Sequence, residues 1–153
     1  MNIEKSIEEG LNSLKDTIVE ANRKNGFWEL HDRAIEVHEE NANKWTQGVL
    51  QAYDAQKLCL VHSEVSEALE AMRKSKYSNP SAKGILSQLE EGSGEWIDAF
   101  KENVKDTVED EIADSIIRLL DFCGGHGIDI EFHIKNKLMY NATRGNKHGG
   151  KMF

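Results

Sequence analysis

The sequence has few residues that interrupt helices and few that build covalent frameworks. One proline occurs in 153 residues, β-branched runs are few, and Glu, Lys, Ala and Leu are abundant. This composition favours helices over strands, so it predicts an all-α protein. Two cysteines, Cys59 and Cys123, are too few for a disulfide framework, which favours a reducing compartment.

Long apolar runs and basic charge are also missing. No apolar run approaches the about 18 residues of a membrane span, and the first ten residues lack the apolar core of a signal peptide. The net charge of -8 argues against a general binder of nucleic acid or anionic membranes, because such binding needs a basic surface. We therefore expect a cytoplasmic protein without nucleic-acid or membrane partners.

The spacing of apolar residues predicts five helices, over residues 3–23, 30–43, 50–74, 108–123 and 130–143. Gln47-Gly48 predicts a turn, and residues 74–94 predict a connection with one short helical turn. Residues 96–104 either extend that connection or form a frayed turn. Asp106 or Thr107 and then Asp129 are expected to cap the last two helices. We expect residues 1–25 to be an added helical extension and residues 26–153 to be the main domain.

Two of these helices each carry a pair of acids at helical spacing. Glu64 and Glu67 are three residues apart, as are Glu111 and Asp114, so each pair shares one helical face. If the two helices pack antiparallel, four carboxylates converge, and they need protons or metal ions to neutralise them. All-oxygen ligands favour Mg²⁺, with Mn²⁺ as the second choice. The alternative for either pair alone is a solvated charged face.

Candidate substrate contacts lie elsewhere in the chain. Lys137, Asn141 and Arg144 share one helical face and could contact the phosphates of a Mg²⁺-bound triphosphate. Their ordinary alternative is favourable charge near a helix C-terminus. His38 and Trp45 are suited to hydrogen bonding and stacking on a nucleobase, although an aromatic residue at a helix end is more often a core or interface anchor.

Other site types have weaker patterns. Cys59-x-x-His62 and Cys123-x-x-His126 could form a zinc site between two helices, or the cysteines could be small buried residues. No histidine has a glutamate three residues before it, which disfavours a di-iron carboxylate bundle. The sequence contains no Walker-type phosphate loop, no G-x-S-x-G motif and no dinucleotide fingerprint.

Four segments resemble the MazG-like all-α nucleotide pyrophosphohydrolases over about residues 30–151. They are S-E-V-S-E-A-L-E at 63–70, E-I-A-D at 111–114, C-G-G-H-G-I-D at 123–129 and K-L-M-Y-N-A-T-R-G-N-K-H-G-G-K at 137–151. The resemblance implies a four-helix-bundle core of antiparallel helices, assembled as a homodimer or homotetramer. It also implies hydrolysis of a nucleoside triphosphate to monophosphate and pyrophosphate.

Carried over residue by residue, the resemblance makes the four acids Mg²⁺ ligands: Glu64, Glu67, Glu111 and Asp114. It assigns contacts with phosphate or sugar to Lys137, Asn141 and Arg144. Ser63 departs from the family pattern, which often begins its motif with Glu, and this departure puts rate or substrate choice in doubt.

The leading hypothesis is a Mg²⁺-dependent nucleotide pyrophosphohydrolase in which one glutamate, such as Glu67, orients or deprotonates the attacking water. A competing hypothesis is a non-catalytic helical module, either nucleotide-sensing or an oligomeric interaction protein. A third is an enzyme of related chemistry that acts on a phosphorylated metabolite.

Overall fold

The structure is a computed structural model that describes residues 9–143. Within these residues there are seven helices and no strands, which confirms the predicted all-α class for this part of the chain. None of the described helices combines the length and apolar character needed to cross a bilayer. In chain order the helices are α1 (Leu11–Lys24), α2 (Glu29–Glu40), α3 (Lys44–Arg73), α4 (Ala82–Leu86), α5 (Gly94–Asn103), α6 (Val108–Gly125) and α7 (Ile130–Ala142).

Helix α3 begins earlier than the sequence predicts. Asn43 is its N-cap, and the Asn43 side chain accepts hydrogen bonds from Trp45 N at 2.9 Å and Thr46 N at 3.1 Å. The Thr46 hydroxyl accepts from Asn43 N at 3.2 Å, which completes a capping box. The predicted turn at Gln47-Gly48 is therefore wrong, because a cap worth about 1 kcal/mol offsets a similar cost of glycine inside a helix.

The segment between α3 and α6 is more helical than expected. Helix α4 is the predicted short turn, but α5 is a helix of 10 residues where the sequence predicts a continued connection or a frayed turn. The Ser93 hydroxyl caps α5 by accepting from Trp96 N at 3.1 Å. The Trp96 ring stacks on Phe100 one turn later, with centroids 5.4 Å apart. Both interactions stabilise a helix that has only a short apolar pattern.

The predicted caps of the last two helices are confirmed. The Thr107 hydroxyl accepts a hydrogen bond from Asp110 N at 3.4 Å at the start of α6. The Asp129 carboxylate accepts from Phe132 N at 3.0 Å at the start of α7. Each side chain thus satisfies an amide of the first turn that has no partner within the helix.

The helices form two compact units. The terminal unit comprises the described residues up to Glu29 and from Leu120 onward, and the central unit is Leu30–Leu119. Helix α6 crosses this boundary after Leu119. The sequence predicts a different kind of division, in which residues 1–25 are a helical extension added to a main domain of residues 26–153. The two compact units do not test this division, so it stays a prediction.

Trp28 is the centre of the terminal unit. Its side chain is 0% exposed, and its ring nitrogen donates to Asp121 Oδ1 at 2.9 Å. Gly125 lies against this ring so closely that a Cβ at position 125 would overlap it. Gly124 makes a similarly close contact with Val19 of α1. The two glycines at the end of α6 therefore let α1 and the indole ring approach the helix backbone.

Helices α3 and α6 pack antiparallel in the central unit. Near the middle of α3, Glu64 contacts Arg118, with 2.5 Å between Oε1 and Nε. Beyond the end of α3, the carbonyl of Lys76 accepts from Val108 N at 3.1 Å. From the first contact to the second, the residue number rises on the α3 side and falls on the α6 side, so the two helices run in opposite directions. This is the arrangement that brings their acid pairs together.

Candidate carboxylate site

Helix α3 carries Glu64 on its most buried face. Glu64 is 6% exposed, and Ala68 and Ala71 on the following turns are similarly buried. The spacing of four and then three residues places all three on one face of the helix. The small alanine side chains let a neighbouring helix approach, whereas a carboxylate at the same depth requires a partner.

Helix α6 carries a matching polar face. Glu111 is 6% exposed and Ser115, one turn later, is 8% exposed. Asp114 lies between them in sequence and is exposed. Arg118 follows Ser115 by three residues and therefore belongs to the same face. The buried residues of this face are polar, unlike those of an ordinary helix packed in a core.

Three of the four predicted acids come together between the two helices. Glu64, Glu111 and Asp114 each offer a carboxylate oxygen, and these oxygens lie within 4.8 Å of one another. We refer to these three residues as the carboxylate cluster. Glu67 is not a member: it is exposed, and its Oε1 accepts a hydrogen bond from the Ser63 hydroxyl at 3.1 Å. Glu67 nevertheless lies close enough to raise the pKa of Glu111.

Mutual repulsion and burial change how the cluster binds protons. Burial raises the pKa of Glu111 to about 7, and the charges of Glu67 and Glu64 add to this rise. Burial also raises the pKa of Asp114, with further contributions from Asp110 and Glu64. A cation bound beside these carboxylates would lower the free energy of their ionised forms, which burial and mutual repulsion raise.

One hydroxyl group beside the cluster has no partner. Ser115 Oγ is buried and makes no hydrogen bond to any residue in the described part of the chain. Ser115 lies one turn after Glu111, on the face of α6 that contacts Glu64. A buried polar atom without a partner requires an explanation, and a ligand or a water molecule would supply one.

Arg118 is a member of the site that the sequence reasoning missed. Its contact with Glu64 is the hydrogen-bonded ion pair that joins α3 to α6. A signal was available, because Arg118 lies seven residues, or two turns, after Glu111 and therefore on the same helical face. The ion pair neutralises one buried carboxylate of the cluster, whereas Glu111 forms no ion pair within the described part of the chain.

A second acidic group shares Glu111 but has a structural role. It consists of Asp106, Asp110 and Glu111. Asp106 forms ion pairs with Lys105 and, at 3.5 Å, with Lys76. Its amide donates to Asp110 Oδ2 at 2.8 Å. Through these contacts, Asp106 and Asp110 stabilise the loop that precedes α6.

His38 and Trp45 lie far from the cluster within one chain. Trp45 precedes Glu64 by 19 residues on the same helix, which corresponds to about 28 Å along the axis. That separation exceeds the length of a nucleoside triphosphate. The Trp45 side chain is 72% exposed, and His38 Nδ1 is 2.7 Å from the Thr46 hydroxyl, which places His38 beside the N-terminal turn of α3.

The predicted phosphate contacts belong to the other unit. Lys137 and Asn141 lie on α7 in the terminal unit, and Lys137 Nζ lies 5.4 Å from the centroid of the Tyr140 ring. Arg144 lies outside the described residues. The assignment of these three residues to substrate stays a prediction.

The cysteines provide no support for a zinc site. Cys59 is exposed and Cys123 is buried. Burial raises the pKa of the Cys123 thiol, which disfavours the thiolate that binds zinc. His126 packs against the Phe122 ring, with centroids 4.4 Å apart. The alternative of Cys123 as a small buried residue fits this packing.

Comparison of the chain with protein-family models, with curated proteins and with solved structures finds no match. The similarity to MazG-like pyrophosphohydrolases therefore rests on the four sequence segments alone.

Proposed function

We propose that this protein is a Mg²⁺-dependent nucleotide pyrophosphohydrolase that converts a nucleoside triphosphate to monophosphate and pyrophosphate. The observation that carries this proposal is the convergence of Glu64 with Glu111 and Asp114 from a second helix. A solvated charged face would not bury two carboxylates at 6% exposure beside each other. The motif resemblance supplies the reaction class, and the convergence supports it.

The residues present fit a hard divalent cation. All three members of the carboxylate cluster offer oxygen, which suits Mg²⁺ first and Mn²⁺ second. The raised pKa of Glu111 reflects burial and the charges of neighbouring acids. Beside the same site, Ser115 Oγ has no hydrogen-bond partner among residues 9–143. A resident cation would supply positive charge for the phosphate oxygens and activate a water molecule.

In the proposed mechanism Glu67 handles the proton. Its Oε1 is held by the Ser63 hydroxyl, and its second oxygen takes a proton from water as that water attacks the α-phosphorus. A new phosphorus–oxygen bond forms, the bond to the bridging oxygen breaks, and pyrophosphate leaves. Ser63, which departs from the family pattern, thus has a role in orienting Glu67. Lys137 and Arg144 are proposed to neutralise charge on the leaving group.

We also propose that the helices assemble as a four-helix bundle through a homodimer or homotetramer. The support is a set of large apolar side chains that share one face of α3 or one face of α6 and are between 42% and 55% exposed. Exposed apolar area of this extent marks an interaction surface. We refer to this set as the apolar ridge; it comprises Leu58, Val65, Leu69, Met72, Ile112, Ile116 and Leu119.

The second candidate function is a non-catalytic oligomeric module, and the apolar ridge is the observation that favours it. In that case the acids would serve only to pair with Arg118 and with protons. Such a protein would produce nothing from any nucleotide. Product analysis therefore separates the two candidates.

The test incubates the pure protein with a panel of NTPs and dNTPs in the presence of Mg²⁺ and identifies the products. Monophosphate with pyrophosphate supports the proposal, whereas diphosphate with phosphate contradicts it. Glu67→Gln should lower turnover by about a hundredfold or more while the fold stays intact. Glu70→Gln is the matched control, because Glu70 is an exposed acid on the same helix, paired with Lys74 at 3.1 Å. Normal turnover by Glu67→Gln would end the proposed mechanism.

A further inference from the structure

A guanidinium group lies beside the carboxylate cluster, and the proposed reaction does not use it. Arg118 Nε donates to Glu64 Oε1 at 2.5 Å, where the Glu64 side chain is 8% exposed and that of Arg118 is 40% exposed. Burial raises the pKa of Asp114, and the charge of Arg118 acts against this rise. Arg118 therefore acts on two of the three carboxylates.

A positive charge at this position has opposite effects on two kinds of ligand. It repels a divalent cation, and its hydrogen bond occupies one of the two carboxylate oxygens of Glu64, a proposed cation ligand. The same charge attracts a polyphosphate, whose oxygens match the planar fork of a guanidinium. Among residues 9–143, the only hydrogen bond or ion pair of Arg118 is the one through Nε to Glu64. Its terminal nitrogens are thus available to an anion that arrives from solvent.

We propose that Arg118 couples cation binding to polyphosphate binding. In the absence of substrate its guanidinium neutralises Glu64 and weakens the binding of a divalent cation. When a polyphosphate arrives, the terminal nitrogens of Arg118 bind its oxygens, and the anion offsets the repulsion between the guanidinium and the cation. Each ligand then tightens the binding of the other, as linkage requires. The inference rests on the proposed cation site and adds a regulator to it.

A purely supporting role for Arg118 predicts the opposite behaviour. A residue that only orients a metal-binding carboxylate increases cation affinity, so its loss weakens binding by tenfold or more. A residue that competes with the cation decreases affinity, so its loss strengthens binding. The sign of the change in affinity decides between the two roles, and it can be measured without any turnover.

The experiment measures Mn²⁺ binding from the electron paramagnetic resonance signal of free Mn²⁺, with and without inorganic pyrophosphate. A protein-free titration at each pyrophosphate concentration accounts for the Mn²⁺ that pyrophosphate itself holds in solution. Arg118→Gln removes the charge but keeps an N–H donor for Glu64, so a buried acceptor is not abandoned. Arg118→Lys keeps the charge. Arg73→Gln is the distant control, since Arg73 is an exposed arginine on α3 that pairs with Glu70 at 3.6 Å. Glu64→Gln removes a proposed cation ligand.

We expect Arg118→Gln to bind Mn²⁺ about tenfold more tightly than the wild type without pyrophosphate, and to gain about tenfold less from pyrophosphate. Arg118→Lys and Arg73→Gln should bind Mn²⁺ as the wild type does. Unchanged or weaker binding by Arg118→Gln, with binding lost in Glu64→Gln, would overturn the coupling and leave the cation site standing. If Arg118→Lys bound Mn²⁺ as tightly as Arg118→Gln, the coupling would also be overturned, because lysine retains the positive charge. Absence of Mn²⁺ binding in every protein would overturn both the coupling and the proposed function.

Discussion

Replacing Glu111 with glutamine removes a carboxyl group that the folded protein keeps protonated up to neutral pH. Glu111 is 6% exposed and lies beside Glu64 and Glu67, and its pKa is raised from 4.5 to about 7. The unfolded chain releases the same proton at the ordinary pKa of a glutamate. Folding is therefore linked to proton binding at Glu111, and stability without a divalent cation depends on pH.

The sign and the size of the effect follow from this difference in pKa. Below the unfolded pKa both states are protonated, and Glu111 costs nothing. As pH rises from about 4.5 to 7 the unfolded state loses its proton first, so stability falls; above about 7 the full loss is about 3 kcal/mol. Glutamine stays neutral and keeps an N–H donor toward Glu64. Glu111→Gln should therefore be more stable than the wild type near pH 8 by up to about 3 kcal/mol, and much less so near pH 5.

The assay is urea unfolding, followed by circular dichroism, at several pH values between about 5 and 8 in EDTA. Glu109→Gln is the control on the same helix, because Glu109 accepts from Ser78 N at 2.9 Å and its pKa is lowered by that bond. That variant should lose stability near pH 8, which is the opposite sign. Mg²⁺ should then stabilise the wild type more than Glu111→Gln. Equal stability of the wild type and Glu111→Gln at every pH in EDTA would refute the reasoning.

Two further substitutions test packing and assembly. Gly125→Ala should destabilise the protein by about 1–3 kcal/mol in urea unfolding, because the new methyl group overlaps the buried Trp28 ring. Gly48→Ala should stabilise it by about 1 kcal/mol, since no described residue has an atom within 4 Å of a Cβ at that helical position; a loss at both sites would contradict the packing argument. Ile116→Glu on the apolar ridge should lower the mass measured by light scattering after gel filtration. Ile117→Glu, off the ridge, should not, and equal masses for both variants would count against the ridge as an interface.

Helical spacing was sufficient to predict which acids share a face, but not how deep they lie. The three-residue spacing of Glu64 and Glu67 placed both on one side of α3, yet Glu64 is buried and Glu67 is exposed. Glu64 shares its face with the buried Ala68 and Ala71 and contacts Arg118 of α6, whereas Glu67 lies outside that contact. Burial of this kind is a tertiary property that spacing alone does not determine.

Capping side chains and local ring contacts determine where α3 begins and why α5 is helical, and apolar spacing alone predicts neither. The early start of α3 depends on the Asn43 side chain, and α5 depends on Ser93 and on the stacking of Trp96 with Phe100. The cap of α7 at Asp129 is predictable because a run of apolar residues, beginning with Ile130 and Phe132, follows it. A cap residue can be recognised in the sequence when a long run of apolar residues at helical spacing follows it. It is easily overlooked when a glycine or only a short apolar pattern follows it.

The buried face and the apolar ridge follow from one pattern that α3 and α6 share. In each helix a glutamate is followed by an apolar residue at the next position, an acid three later and another apolar residue five later: Glu64, Val65, Glu67, Leu69 and Glu111, Ile112, Asp114, Ile116. Two similar antiparallel helices can be related by a two-fold axis that is perpendicular to the plane containing both helix axes. Rotation about this axis leaves equivalent residues of the two helices on the same side of that plane. The apolar residues of both helices therefore lie on one side of the pair, and the acids meet between the helices.

The shared pattern breaks seven residues after the glutamate, and this break accounts for the unequal behaviour of Glu64 and Glu111. On α6 that position is Arg118, which pairs with Glu64 across the helix interface. On α3 it is Ala71, which is buried and has no charge to offer the equivalent Glu111. One glutamate therefore has a guanidinium partner, and the other has burial and two neighbouring acids that raise its pKa to about 7. An external cation offers the greatest gain in free energy at Glu111, where no cationic side chain of residues 9–143 forms an ion pair.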